Sequence, residues 1–237
     1  MDTQVLDHLI STITNVELKT DPFPYFFAEN VFPQSFYKEL LDNIPEPSAY
    51  LKLSDTGRAP KGSYPNRFVI PLEQEELVKL PFAHFLFWAQ LSQMLHCTEW
   101  IACLVKKFEA HVKRRFGSQY VSLKYKPTAQ LIQDHSQYSL GPHTDLPQRI
   151  FTLLFYFPET EEQKHLGTSI YRPKLLGFTC EGKQHHAFED FIQVDSAPFL
   201  PNSVLGFFNS DTSFHGLELI SEENVQRNLV TFFVATE

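Results

Sequence analysis

Ten histidines stand in the chain of 237 residues, and one has a carboxylate two positions on, in Gly141-Pro142-His143-Thr144-Asp145. On an extended backbone, positions i and i+2 project to the same side, so this imidazole and carboxylate converge. Taken alone, the pair describes a turn histidine beside a capping aspartate equally well. A third donor, His215, lies in Asn209-Ser210-Asp211-Thr212-Ser213-Phe214-His215-Gly216-Leu217. Two imidazoles and one carboxylate on one face of an octahedral ion leave adjacent positions open. That set suits non-haem ferrous iron better than structural zinc. Arg227 then leads into Asn228-Leu229-Val230-Thr231-Phe232-Phe233-Val234. A guanidinium entering so apolar a strand is costly unless it meets an anion, and its planar fork matches a carboxylate end-on. A strand-edge arginine paired with Glu218 or Glu222 is the plainer alternative.

The elements that must position these groups change character near residue 120. Before it, Val5, Leu6, Leu9, Ile10, Ile13 and Val16 recur at helical spacing up to the breakers Asp21-Pro22-Phe23-Pro24. A second helix is predicted from Pro33 at its first turn to about Asn43. Residues 46–71 read as a long loop, and helical signal returns over 73–117, broken near Pro81 and Cys97. After residue 120 the period becomes two, with strands predicted at 121–126, 129–134, 150–157, 167–171, 189–194, 203–208, 214–219 and 227–235. Short strands with few helices between them predict a mainly β chain with α. The expected core is a jelly-roll or double-stranded β-helix under an N-terminal helical layer. The whole is expected to be one catalytic unit, 1–237, helical over 1–120 and barrel over 121–237.

In this order and placement, residues 121–237 resemble the 2-oxoglutarate- and Fe(II)-dependent oxygenase superfamily, particularly its prolyl-4-hydroxylase-like branch. Gly141-Pro142-His143-Thr144-Asp145 is similar to the HxD box, and Ser213-Phe214-His215-Gly216-Leu217 to the distal-histidine box. Leu166-Gly167-Thr168 is similar to the glycine-containing strand start midway through such barrels. The resemblance implies Fe(II) held by His143, Asp145 and His215. It also implies 2-oxoglutarate as cosubstrate with its far carboxylate on Arg227, O2, and hydroxylation of a substrate C–H. Gln133 and Tyr138 are expected near the cosubstrate, and Arg149 near the substrate. Three departures narrow the reading. Arg227 stands where collagen-type prolyl hydroxylases commonly have lysine. Phe233 stands where nucleic-acid demethylases carry a second arginine. Asp145 is retained, whereas halogenating members lose that carboxylate.

Bulk properties agree with that picture. The chain is 43% hydrophobic and 20% charged, with 23 Phe, enough to fill a thick core. A formal net charge of −8 argues against a nucleic-acid partner. No apolar run reaches membrane-span length, and Met1-Asp2-Thr3-Gln4 does not start a signal peptide. Cys97, Cys103 and Cys180 are scattered and read as reduced thiols, so a cytoplasmic protein is expected. Lys113, Arg114 and Arg115 read as cations at a helix end. His185-His186 reads as a loop pair beside the polar insertion Glu181-Gly182-Lys183-Gln184, and His96 and Glu99 as parts of a packed helix. Residues 46–71 and 173–188 are the lid candidates. The substrate is expected to be a small molecule or a protein side chain. Two other classes stay open: a cupin-like metal-binding barrel without oxidative turnover, and a non-enzymatic interaction protein.

Overall fold

The computed structural model describes residues 3–57, 59–182 and 184–236; the Met1-Asp2 start and Lys183 of the insertion lie outside the described residues. α1 (Thr3–Asn15) buries Val5, Leu6, Leu9 and Ile13, the stripe its periodicity predicts. β1 (Tyr25–Glu29) follows, and then α2 (Gln34–Asp42), for which Pro33 serves as N-cap. β2 (Leu51–Lys52) and β3 (Arg67–Pro71) flank the long loop. Four helices complete the first half: α3 (Gln74–Leu77), α4 (Phe82–Leu95), α5 (Thr98–Lys107) and α6 (Glu109–Phe116). None of the helices among the described residues is long and apolar enough to cross a membrane.

The second half supplies β4 (Tyr125–His135), β5 (Leu140–His143), β6 (Arg149–Tyr156), β7 (Thr168–Pro173), β8 (Phe191–Ala197), β9 (Ser203–Phe208), β10 (His215–Leu217) and β11 (Gln226–Thr236). With β1, β2 and β3 they form two antiparallel sheets, one ordered β1-β9-β6-β11-β4-β3-β2 and the other β5-β10-β7-β8. The architecture is a double-stranded β-helix with an N-terminal helical layer. β11 shows the division of labour along one strand. Val230, Phe232 and Val234 pack with Trp88, Trp100 and Phe108 of the helical layer. Leu229, Thr231 and Phe233 face the cavity between the sheets.

Three elements depart from the sequence expectation. The first 120 residues contribute strands as well as helices, because β1 pairs with β9 and β3 with β4 at opposite sides of the larger sheet. Arg67-Phe68-Val69-Ile70-Pro71 is too short to show a period of its own after so irregular a loop. Residues 117–122 form a 3-10 turn, and β4 begins at Tyr125 and runs unbroken through Pro127. β5, which falls outside the predicted strands, is a strand at the edge of the smaller sheet, where a proline removes no ladder bond that the fold needs.

Candidate metal centre

His143 ends β5 and His215 begins β10, and the two are register partners across that antiparallel pair. Their ring centroids lie 4.4 Å apart. Asp145 follows two residues after His143, and ligand atoms of all three side chains lie within 4.8 Å of one another. Each imidazole has a fixed orientation. The Nδ1 of His143 is 3.0 Å from the Gly141 carbonyl, and the Nδ1 of His215 is 3.0 Å from that of Ser213. A carbonyl only accepts, so both Nδ1 atoms carry the proton and both Nε2 lone pairs are left for a ligand-seeking ion.

The carboxylate is held as firmly. Arg149 Nη1 donates to Asp145 Oδ1 at 2.8 Å, Thr152 Oγ1 to Oδ2 at 2.6 Å, and Asn209 Nδ2 to Oδ2 at 3.3 Å. Burial alone would raise the Asp145 carboxyl. The Arg149 charge, the two imidazoles and the Thr152 hydroxyl hold it well below the usual carboxylate range instead. Burial, reinforced by His215, pushes His143 well below the ordinary imidazole value, and burial also lowers His215. Two neutral imidazoles and one anionic carboxylate are the protonation states that a divalent first-row ion requires, so the donor set fits such an ion.

A cavity of about 630 Å³ opens beside this cluster. Arg227, which also lines it, is buried, with Nε donating to the Leu166 carbonyl at 2.8 Å and Nη1 to Asp134 Oδ2 at 3.0 Å. Neither Glu218 nor Glu222 is its partner; Glu222 meets His165. Arg149 lines the cavity, lies 3.8 Å over the Phe233 ring, and takes Asp145 as its ion-pair partner. Tyr138 is buried beneath the Arg67 guanidinium, 4.5 Å from ring centroid to Cζ, and its hydroxyl has no hydrogen-bond partner. Gln133 is a correction. Ile132 faces the cavity, so its neighbour projects from the opposite face of β4, where its amide bonds Asn228 Oδ1 at 3.0 Å and His135 Nε2 at 2.8 Å.

Several groups at the site carry no local signal in the sequence. His185, read as a loop residue, lines the cavity with its ring 4.8 Å from that of His143, and its Nε2 is 3.1 Å from the Tyr64 hydroxyl. The insertion that carries it is anchored to the segment around His143 and Asp145. Thr144 Oγ1 donates to the Cys180 carbonyl at 2.9 Å, and His186 N to that of Pro142 at 2.9 Å. Arg115, read as a helix-end cation, reaches the carbonyls of Arg149 at 3.0 Å, Asn209 at 2.8 Å and Pro147. It thereby ties together the two loops that flank Asp145. Lys113 behaves as read, pairing with Glu109 on its own helix at 2.8 Å.

No known family profile matches the chain, and no curated protein matches it. Solved structures do. One is described as prolyl 4-hydroxylases from Phytophthora capsici: TM-score 0.56, 14% identity, covering 98% of this chain and 65% of that one. This chain therefore spans just under two thirds of that relative's length. Another is the non-haem α-ketoglutarate-dependent carbocyclase SnoK from nogalamycin biosynthesis: TM-score 0.50, 11% identity, covering 99% of this chain and 84% of that one. At these identities the likeness is one of fold.

Proposed function

We propose that this chain is an Fe(II)- and 2-oxoglutarate-dependent oxygenase of the hydroxylase type, a single catalytic unit in the prolyl-4-hydroxylase-like branch. The observation that carries the reading is one continuous cavity. Its lining includes two free Nε2 atoms and a carboxylate together with a buried guanidinium. A short 2-oxo dicarboxylate has complementary ends for those two features. His143, Asp145 and His215 would hold the iron, and Arg227 the far carboxylate. When bound, iron, 2-oxoglutarate and O2 supply the oxidising chemistry, with release of succinate and carbon dioxide and oxidation of a substrate C–H.

The chain's own residues do the rest. Gly141 and Ser213 carbonyls fix the two imidazole tautomers, and Arg149, Thr152 and Asn209 aim the carboxylate. Leu154, Leu229 and Phe233 give the cavity an apolar wall that excludes water from the reacting groups. Tyr64, His185 and the N–H groups of Arg149 not given to Asp145 offer polar contacts at the wall. A small molecule or a protein side chain is the substrate class proposed. A cytoplasmic location is part of this proposal; Cys97, Cys103 and Cys180 are free thiols.

The test is an anaerobic titration with Fe(II) and 2-oxoglutarate. A weak visible metal-to-ligand charge-transfer band, followed by O2-dependent succinate formation, is expected. A cupin-like barrel that only binds metal gives no band that depends on 2-oxoglutarate, and that outcome overturns the proposal.

A further inference from the structure

Arg67, Asp134 and Arg227 stand directly opposite one another on three adjacent strands. Asp134 of β4 is the register partner of Arg67 on β3 and of Arg227 on β11. The aspartate is fully buried and both its oxygens are used. Oδ1 accepts from Arg67 Nε at 2.6 Å, and Oδ2 from Arg67 Nη2 at 2.8 Å and Arg227 Nη1 at 3.0 Å. Two guanidinium groups share one carboxylate, so the row carries a fixed charge of +1. Among the described residues no second carboxylate is ion-paired with either arginine.

The groups around the row do not neutralise it. Burial raises the phenols of Tyr64, Tyr138 and Tyr156, which keeps them protonated and uncharged. Donors remain unspent: Arg67 Nη1 has no acceptor among the described residues, and the Tyr138 hydroxyl is buried without one. A buried positive row with idle donors calls for an anion. Both arginines line the same cavity, and Asp134, between them on the same face of the sheet, is fully buried.

We infer that Arg67 and Arg227, bridged by Asp134, form one two-armed carboxylate site. The inference rests on the proposed cosubstrate reading and deepens it. The second arm comes from β3, ahead of the barrel half. Asp134 keeps the two guanidinium groups together without mutual repulsion, and it leaves the charge that one incoming carboxylate cancels.

The test compares two ligands on the Mn(II)-loaded protein by calorimetry: 2-oxoglutarate, and 2-oxobutyrate, which has the same oxo-acid head and no far carboxylate. Arg67→Ala should weaken 2-oxoglutarate binding about tenfold or more and leave 2-oxobutyrate within about twofold. Arg67→Lys, which keeps the charge beside Asp134 and protects the fold, should weaken 2-oxoglutarate alone by several-fold. If either Arg67 variant binds 2-oxoglutarate as the wild type does while Arg227→Ala does not, the site has one arm. The inference then falls and the cosubstrate reading stands. If the wild-type protein does not prefer 2-oxoglutarate to 2-oxobutyrate, both fall.

Discussion

Arg149 donates to Asp145 across 2.8 Å, four residues along the chain, so the arginine expected to touch substrate orients the carboxylate proposed as a metal ligand. The relationship gives Arg149 a role that precedes any substrate. Arg149→Ala should weaken Mn(II) or Co(II) binding by about 10–100-fold with no 2-oxoglutarate present, and Thr152→Val should act in the same direction. Titration calorimetry reads both. An Arg149→Ala protein with wild-type metal affinity would return that residue to the substrate alone.

The three ligands themselves should be far more sensitive. His215→Ala or Asp145→Ala removes a donor from a three-point site, so metal affinity should fall by two orders of magnitude or more, roughly, and succinate formation should cease. Circular dichroism should show the fold retained, because the rest of both sheets does not depend on either side chain. Near wild-type succinate formation by either variant would refute the ligand assignment.

Gly182 brings the insertion close against the backbone of Asp145. Its φ is +73°, and a Cβ at this position would overlap the Asp145 carbonyl oxygen. Gly182→Ala must therefore strain the turn and push the insertion off the ligand segment. A loss of about 1–3 kcal/mol in urea unfolding is expected, together with weaker metal binding. Unchanged values in both measurements would mean that the insertion retreats freely.

Asp195 gives a pH signature away from the centre. Burial would raise its carboxyl, but Lys19 Nζ at 2.6 Å, the Tyr25 hydroxyl at 2.5 Å and the Ser196 N–H more than offset that and depress it. A depressed carboxylate adds stability that is present above its unfolded value near about 3.9 and is lost as pH falls through the folded value. Asp195→Asn should thus lower the urea midpoint at pH 6 and change it little near pH 3. Lys19 is half exposed, so the difference should stay below about 1 kcal/mol. An equal loss at both pH values would assign the effect to packing.

What the sequence by itself determined is what the backbone's own geometry dictates over a few residues. The parity of an extended strand brings His143 and Asp145 together, and a 3.6-residue period marks the buried stripe of α1. An apolar late strand opened by Arg227 announces a buried guanidinium. Tertiary structure decided which groups meet across the sheets. Gln133 could not be separated from Ile132 until the unbroken run of β4 through Pro127 set the parity of that strand. Asp134 and Arg67 could not be assigned to Arg227 until three strands distant in the chain took their register. Tyr64 and His185 reach each other from two irregular loops, and Arg115 finds its carbonyls in two more. Periodicity is a local property that each segment carries alone. Pairing of charges belongs to the register between segments, because one residue of slip turns every side chain to the other face.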